Sequence, residues 1–350
     1  MNPNSRPKWP LQLIATATIA ALALAALVPA LASAKNDNKV DGDRAVIRHG
    51  TLEVKGSHRA DTVALRLKAG DPNTVQVDVG DDGSADFSFA RSDASAINVE
   101  MRKGDDSARV DDANGAFTDS IPTTIAGRRG DDSLEGGQVV AGVPENETFK
   151  GGAGDDTVDG GKGNDTAYLG AGNDTFVWDP GEGSDVIEGR DGRDTMLFNG
   201  AGAPTVENIT LTANGGRLNF LRDVGTVKMD TDGVEAVAFN ALGGMDNVTV
   251  NDLTGTDVTE VNLDLAGTLG GGGGDGAVDN VVVNGTDGDD SINIDGNGSG
   301  ADVSGLAAAV SVQHADQGDS LSVNTLAGTD SVNANGAFGA LQVLVDGAPV

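Results

Sequence analysis

Residues 151–159 read GGAGDDTVD, 160–168 GGKGNDTAY and 169–177 LGAGNDTFV; after Trp178 and Asp179, residues 180–188 continue as PGEGSDVIE and 189–197 as GRDGRDTML. Five nine-residue units thus share one template. The fourth position is always glycine (Gly154, Gly163, Gly172, Gly183, Gly192), the sixth always aspartate (Asp156, Asp165, Asp174, Asp185, Asp194), and the eighth always apolar (Val158, Ala167, Phe176, Ile187, Met196). Glycine reaches positive φ without a Cβ clash, so the first half of each unit is suited to a tight turn that aims carbonyl oxygens at one point. The second half fits a short strand, because a period of two sends the eighth side chain inward and its neighbours outward. Thr157, Thr166, Thr175 and Thr195 add β-branched strand formers at the seventh position.

A unit this short cannot enclose a core alone, so the pattern predicts stacking into a solenoid with a narrow interior. Composition agrees: only 3% of the 350 residues are aromatic while 52 are glycine, which leaves few large side chains for a thick core. These units resemble the GGxGxDxUx nonapeptide of RTX, or haemolysin-type, calcium-binding proteins. The resemblance implies an all-β fold, a right-handed parallel β-roll or β-helix solenoid with irregular flanking coils, in which successive units lie on alternate sides and calcium sits between neighbouring turns. Carried over residue by residue, it places Asp156, Asp174 and Asp194 on one edge and Asp165 and Asp185 on the other. The carbonyls of Gly152, Gly154, Gly161, Gly163, Gly170 and Gly172 would complete the shells, since calcium takes six to eight oxygens.

The template weakens in both directions. GRRGDDSLE from Gly127 puts Asp132 at the sixth position and GTDGDDSIN from Gly285 does so with Asp290, which makes both candidate ligands; MRKGDDSAR from Met101 is a poorer match. Units four and five lack the leading glycine pair, the Trp178-Asp179 insertion is expected to interrupt their stacking, and Arg193 is placed to pair with Asp194. Alternating stretches such as residues 74–79 and 281–283 predict strands in the flanks. The organisation expected is a leader at 1–34, an N-terminal β-rich region at 35–125, the calcium-binding roll at 126–198 and a C-terminal solenoid-like region at 199–350.

At the amino end Arg6 and Lys8 precede an uncharged apolar run over residues 11–32 and the small-residue site Ala32-Ser33-Ala34, the order of a secretory signal peptide, with a retained anchor as the alternative. Secretion to the extracellular space or cell surface is therefore expected, with no membrane span after cleavage. The net charge of −31, from 54 acidic and 23 basic residues, argues against nucleic acid as a partner and calls for cations to relieve self-repulsion. With no cysteine, disulfides and thiol chemistry are excluded, which leaves bound metal as the natural staple. Three histidines without an HExxH pattern, and no GxSxG, give no catalytic signature, so a non-enzymatic role is expected. The functional expectation is an exported protein whose partner is calcium. A surface adhesin or matrix protein that meets extracellular glycan or a cell surface, and a polysaccharide-active enzyme, remain as alternatives.

Overall fold

A computed structural model describes residues 44–138 and 146–350; the leader expected at 1–34 lies outside them. Two long sheets of 15 and 14 strands face each other across one apolar core, and each coil contributes a strand to both. In the central coils the first sheet runs through Thr123–Arg129, Glu147–Ala153, Thr166–Ala171 and Val186–Asp191, the second through Ser133–Glu135, Thr157–Asp159, Thr175–Trp178 and Thr195–Asn199. All of these neighbours pair in parallel. This is a β-roll solenoid, and its strands run on without a break into both flanks.

The period of two sets the core. On the second sheet Leu134, Val158, Phe176 and Met196 stack in register, each no more than 1% exposed, and the column continues as Val237, Val261 and Val310. On the first sheet Ile125, Phe149, Ala167 and Ile187 do the same at 0%. Each large apolar side chain so buried contributes about 1.5–3 kcal/mol, and stacking multiplies the term coil by coil. A polar residue in either column would face the opposite sheet instead of water.

The insertion after Val177 does not interrupt the stack as expected. Thr175 pairs with Thr195 and Thr166 with Val186, so the register passes straight through it. The extra length is absorbed in the turn, and its tryptophan is drawn inward: Trp178 is 0% exposed and stacks on Phe198 with ring centroids 3.9 Å apart. Phe220 and Phe239 join the same cluster. Four of the scarce aromatic residues thus meet where the coils become irregular.

Irregularity has a regular form. Val206–Asn214, Arg217–Arg222 and Val227–Asp232 make an antiparallel excursion within the first sheet, and Ser291–Asn297, Ala301–Ser304 and Ala309–Gln313 make one within the second. Each begins ahead in the stack and folds back to meet the previous coil, Asp230 against Val186 and Val310 against Val261. The first sheet ends on an antiparallel hairpin at each edge, Ala45–Arg48 with Thr51–Lys55 and Gln342–Val345 with Ala348–Pro349. Among the described residues no helix is long and apolar enough to cross a membrane.

Candidate metal centre along the two turn edges

The turns leading from the first sheet into the second bring Asp106, Asp132, Asp156, Asp174 and Asp194 into one column; the turns leading back align Glu147, Asp165 and Asp185. Within each column the backbone N–H of one acid donates to a carboxylate oxygen of the next coil's acid. Asp106 donates to Asp132 (2.8 Å), Asp132 to Asp156 (2.8 Å), Asp156 to Asp174 (2.7 Å) and Asp174 to Asp194 (2.9 Å). On the opposite edge Glu147 donates to Asp165 (2.6 Å) and Asp165 to Asp185 (2.7 Å). The sixth-position aspartate therefore has a purely structural duty: its Oδ1 satisfies a buried amide one coil back.

The second oxygen is the unusual one. Oδ2 of Asp106, Asp132, Asp156, Asp165, Asp174, Asp185 and Asp194 is buried and has no hydrogen-bond donor among the described residues, and the same holds for both carboxylate oxygens of Glu147. None of these residues is more than 2% exposed. Leaving a buried acceptor unmet costs about 1–3 kcal/mol, and more for a charge, so a column of them requires either protons or cations.

Glycine makes room for these oxygens. A Cβ on Gly151 would collide with Asp156 Oδ2 and with the carbonyl oxygen of Leu169 in the next coil, so carboxylate and carbonyl flank the same small space. Gly172, at φ +143°, holds a conformation closed to other residues, and a Cβ there would meet the Gly154 carbonyl oxygen, with Asp155 Oδ1 3.1 Å away. The carbonyls of Gly152 and Gly163 likewise face the next glycine of their own column, Gly170 and Gly183, and Gly161 sits against the Gly137 carbonyl. Fifth-position side chains add an outer ladder of opposite sense: Asp131 Oδ1 accepts from the Asp155 N–H (2.8 Å), and Asp155 Oδ1 from that of Asn173 (2.7 Å).

Burial is the main force on the ladder pKa values. It lifts Asp132 and Asp194 to about 6 and Asp106, Asp156 and Asp185 to about 7, with neighbouring carboxylates pushing the same way and the amide hydrogen bonds pulling back. Asp174 is raised for the same reason. Asp165 is raised by burial and by the charges of Glu147 and Asp185, and Glu147 is raised by burial, with the Asp112 charge pushing the same way and its side-chain contacts with Thr118 and Asp165 pulling back. The donor set is all oxygen, negatively charged and shut away from water, which fits a hard divalent cation.

The remaining expectations divide. Asp290 lies in an equivalent turn of the C-terminal half, but both of its oxygens are engaged, by the Thr286 N–H (2.8 Å) and the Thr286 hydroxyl (3.0 Å). It is a satisfied cap and not part of the unpartnered set. Arg193 does not pair with Asp194; its guanidinium meets Glu260 two coils on. Conversely, Glu147 and Asp246 were not singled out from sequence. Glu147 sits in the frame Asn146-Glu147-Thr148, which matches Asn164-Asp165-Thr166 with glutamate for aspartate. Asp246, 0% exposed, has an Oδ2 without a donor and gives its own N–H to Asp279 (2.8 Å), beyond the regular units.

Residues 123–138, 142–176 and 181–200 match the family model described as RTX calcium-binding nonapeptide repeat, in four copies. No curated protein and no solved structure matches the chain.

Proposed function

We propose, from the premise that this chain carries RTX calcium-binding nonapeptide repeats and binds calcium through them, that the ion ligands are the second carboxylate oxygens of the two edge columns. On one edge these are Asp132, Asp156, Asp174 and Asp194; on the other, Asp165 and Asp185, with Glu147 extending the row. The observation that supports this reading is the run of buried, donor-less carboxylate oxygens beside glycine-lined carbonyls. Calcium bound there supplies the positive charge that the turns lack. The chain's own residues then do the rest: Oδ1 fixes each carboxylate by an amide bond, Oδ2 faces the ion, and the apolar columns hold neighbouring turns at a constant spacing.

Bound ions and folding are linked in this reading, because ligands from consecutive coils come together only when the coils stack. Without calcium the columns repel one another and the central coils loosen. The uncharged run at residues 11–32 followed by Ala32-Ser33-Ala34 supports export before folding, into an environment where calcium is plentiful. The matching test is calorimetric titration of the full chain with calcium, paired with far-ultraviolet circular dichroism. Binding heat together with a gain of β signal is expected; no heat and unchanged spectra would remove the proposal.

A scaffold role at a surface is the second reading. Its support is a pair of outward asparagine ladders on the first sheet, Asn208-Asn247-Asn280 and Asn251-Asn284-Asn324, each linked by amide hydrogen bonds of 2.9–3.0 Å. Such a rigid polar face suits contact with carbohydrate hydroxyls, and a glycan array in calcium against chelator tests it.

A further inference from the structure

The chain's last arginine is Arg222 and its last lysine Lys228, yet 19 acidic residues follow Lys228. Side-chain cations are therefore scarce in the C-terminal part, where a third ladder of buried acids forms. It runs at or beside the starts of the first-sheet strands Val206–Asn214, Met245–Val250, Asn280–Asn284 and Ser320–Asn324. The Glu207 N–H donates to Asp246 Oδ1 (3.2 Å), that of Asp246 to Asp279 (2.8 Å) and that of Asp279 to Asp319 (2.9 Å). None of the four is more than 2% exposed.

The ends of this ladder are satisfied and its middle is not. Glu207 is met by the Arg222 guanidinium at Oε1 and by the Ala201 N–H at Oε2 (2.6 Å). Asp319 Oδ2 accepts the Asp316 N–H (2.7 Å). Asp246 Oδ2, by contrast, is buried and has no hydrogen-bond donor among the described residues. No lysine, arginine or histidine among those residues forms an ion pair with Asp246, Asp275 or Asp279; Arg222 is spent on Glu207 and His314 on Asp264. Burial pushes the Asp246 carboxyl up, and the charges of Asp279, Glu207 and Asp275 push the same way. A buried carboxylate set among like charges calls for a countercharge.

Asp275 carries the group to the surface. Its Oδ2 accepts the Gly244 N–H (2.8 Å), two residues before Asp246, and its Oδ1 the Ala277 N–H (2.7 Å), two before Asp279. An open hollow of ≈ 360 Å³ lies beside it, lined by Asp275, Leu242, Gly243 and the glycine run at 271–274. We propose that Asp246 and Asp279, with Asp275 at the mouth, bind a hard divalent cation of calcium's size. Water in the hollow and backbone carbonyls would complete the six to eight oxygens that calcium takes. The site lies outside the residues that match the repeat family and shares no ligand with the edge columns, so it stands or fails apart from them.

Two readouts on the full-length chain test this: equilibrium dialysis counts bound calcium, and terbium, a calcium surrogate sensitised by a nearby tryptophan, locates it. Asp246→Asn keeps the oxygen that accepts the Glu207 N–H and removes the charge. It should bind one calcium ion fewer per chain than the parent, with the calcium-induced circular dichroism change of the central coils retained. Met245→Trp sets an indole next to Asp246 at a position that is 45% exposed, where the fold has room for it. It should add sensitised terbium emission above that of the parent. Calcium should displace this emission, and adding Asp246→Asn should weaken the terbium binding behind it about tenfold or more. An unchanged calcium count in folded Asp246→Asn overturns the proposal, and so does a Met245→Trp protein with no added emission. The second result decides alone should Asp246→Asn not fold. Added emission from Met245→Trp in a protein whose central coils give no circular dichroism response would strike at the edge columns and leave this site standing.

Discussion

Asp156 carries two duties that substitution can separate. Its Oδ1 accepts the buried Asp132 N–H at 2.8 Å, and its Oδ2 is the donor-less oxygen beside Gly151. Asparagine keeps the first duty and removes the charge behind the second; alanine removes both. Burial raises the Asp156 carboxyl from 3.8 to about 7. A raised folded-state value means that the carboxyl's contribution to stability is complete below about pH 4 and is lost as pH rises through about 7. At pH 8 in chelator the folded chain therefore holds a charge it disfavours, on the order of 2 kcal/mol once solvent screening at the corner is allowed for. Asp156→Asn should relieve that and stabilise the calcium-free protein by about this amount. Asp156→Ala gains the same relief but orphans the Asp132 amide at about 1–3 kcal/mol, which leaves it near the parent. In calcium the order changes, because both variants lose a charged ligand and the stabilisation that calcium gives the parent shrinks in each. Urea unfolding followed by circular dichroism, in chelator and in calcium at pH 8, measures all four differences. The reasoning is refuted if asparagine and alanine behave alike in chelator, or if calcium stabilises both variants as much as it does the parent.

Raised ladder pKa values mean that calcium displaces protons, so titrations at pH 6.5 in buffers of different ionisation enthalpy should give different apparent heats, and the difference should narrow as pH rises. By the same sign the calcium-free protein should unfold at higher urea at pH 5 than at pH 8. Gly151→Ala should lower calcium affinity more than tenfold, because its methyl enters the space between Asp156 Oδ2 and the Leu169 carbonyl; calorimetry reads this directly. Asp290→Asn should leave the count of bound calcium unchanged, since Thr286 already satisfies both oxygens, whereas Asp165→Ala should reduce it; dialysis with metal analysis distinguishes the two.

Much of this architecture is written locally. Position eight of each unit names the core column, and glycine at position four names the turn, so strand, corner and edge follow from counting. What counting missed depends on contacts between coils. Asp290 matches the template as well as Asp132 does, yet Thr286 bonds to it, whereas Arg128 at the same position of the earlier unit offers Asp132 no such hydroxyl. Glu147 was hidden by one methylene of difference from aspartate, although its Asn-Glu-Thr frame was visible. The insertion read as a defect because sequence gives its length but not its direction; burial of Trp178 against Phe198 drew it inward and kept the register. The antiparallel excursions were equally illegible, since their strands alternate like any others and only pairing reveals that they fold back.

The account stands on whether the donor-less oxygens at the corners meet calcium. Crystals of the protein grown in calcium, with diffraction recorded where calcium scatters anomalously, test this most directly. Peaks beside Oδ2 of Asp156 and Asp174 on one edge and of Asp165 and Asp185 on the other are predicted. A calcium-replete crystal with no peak at either edge, its carboxylates instead protonated or bonded to water, would contradict it.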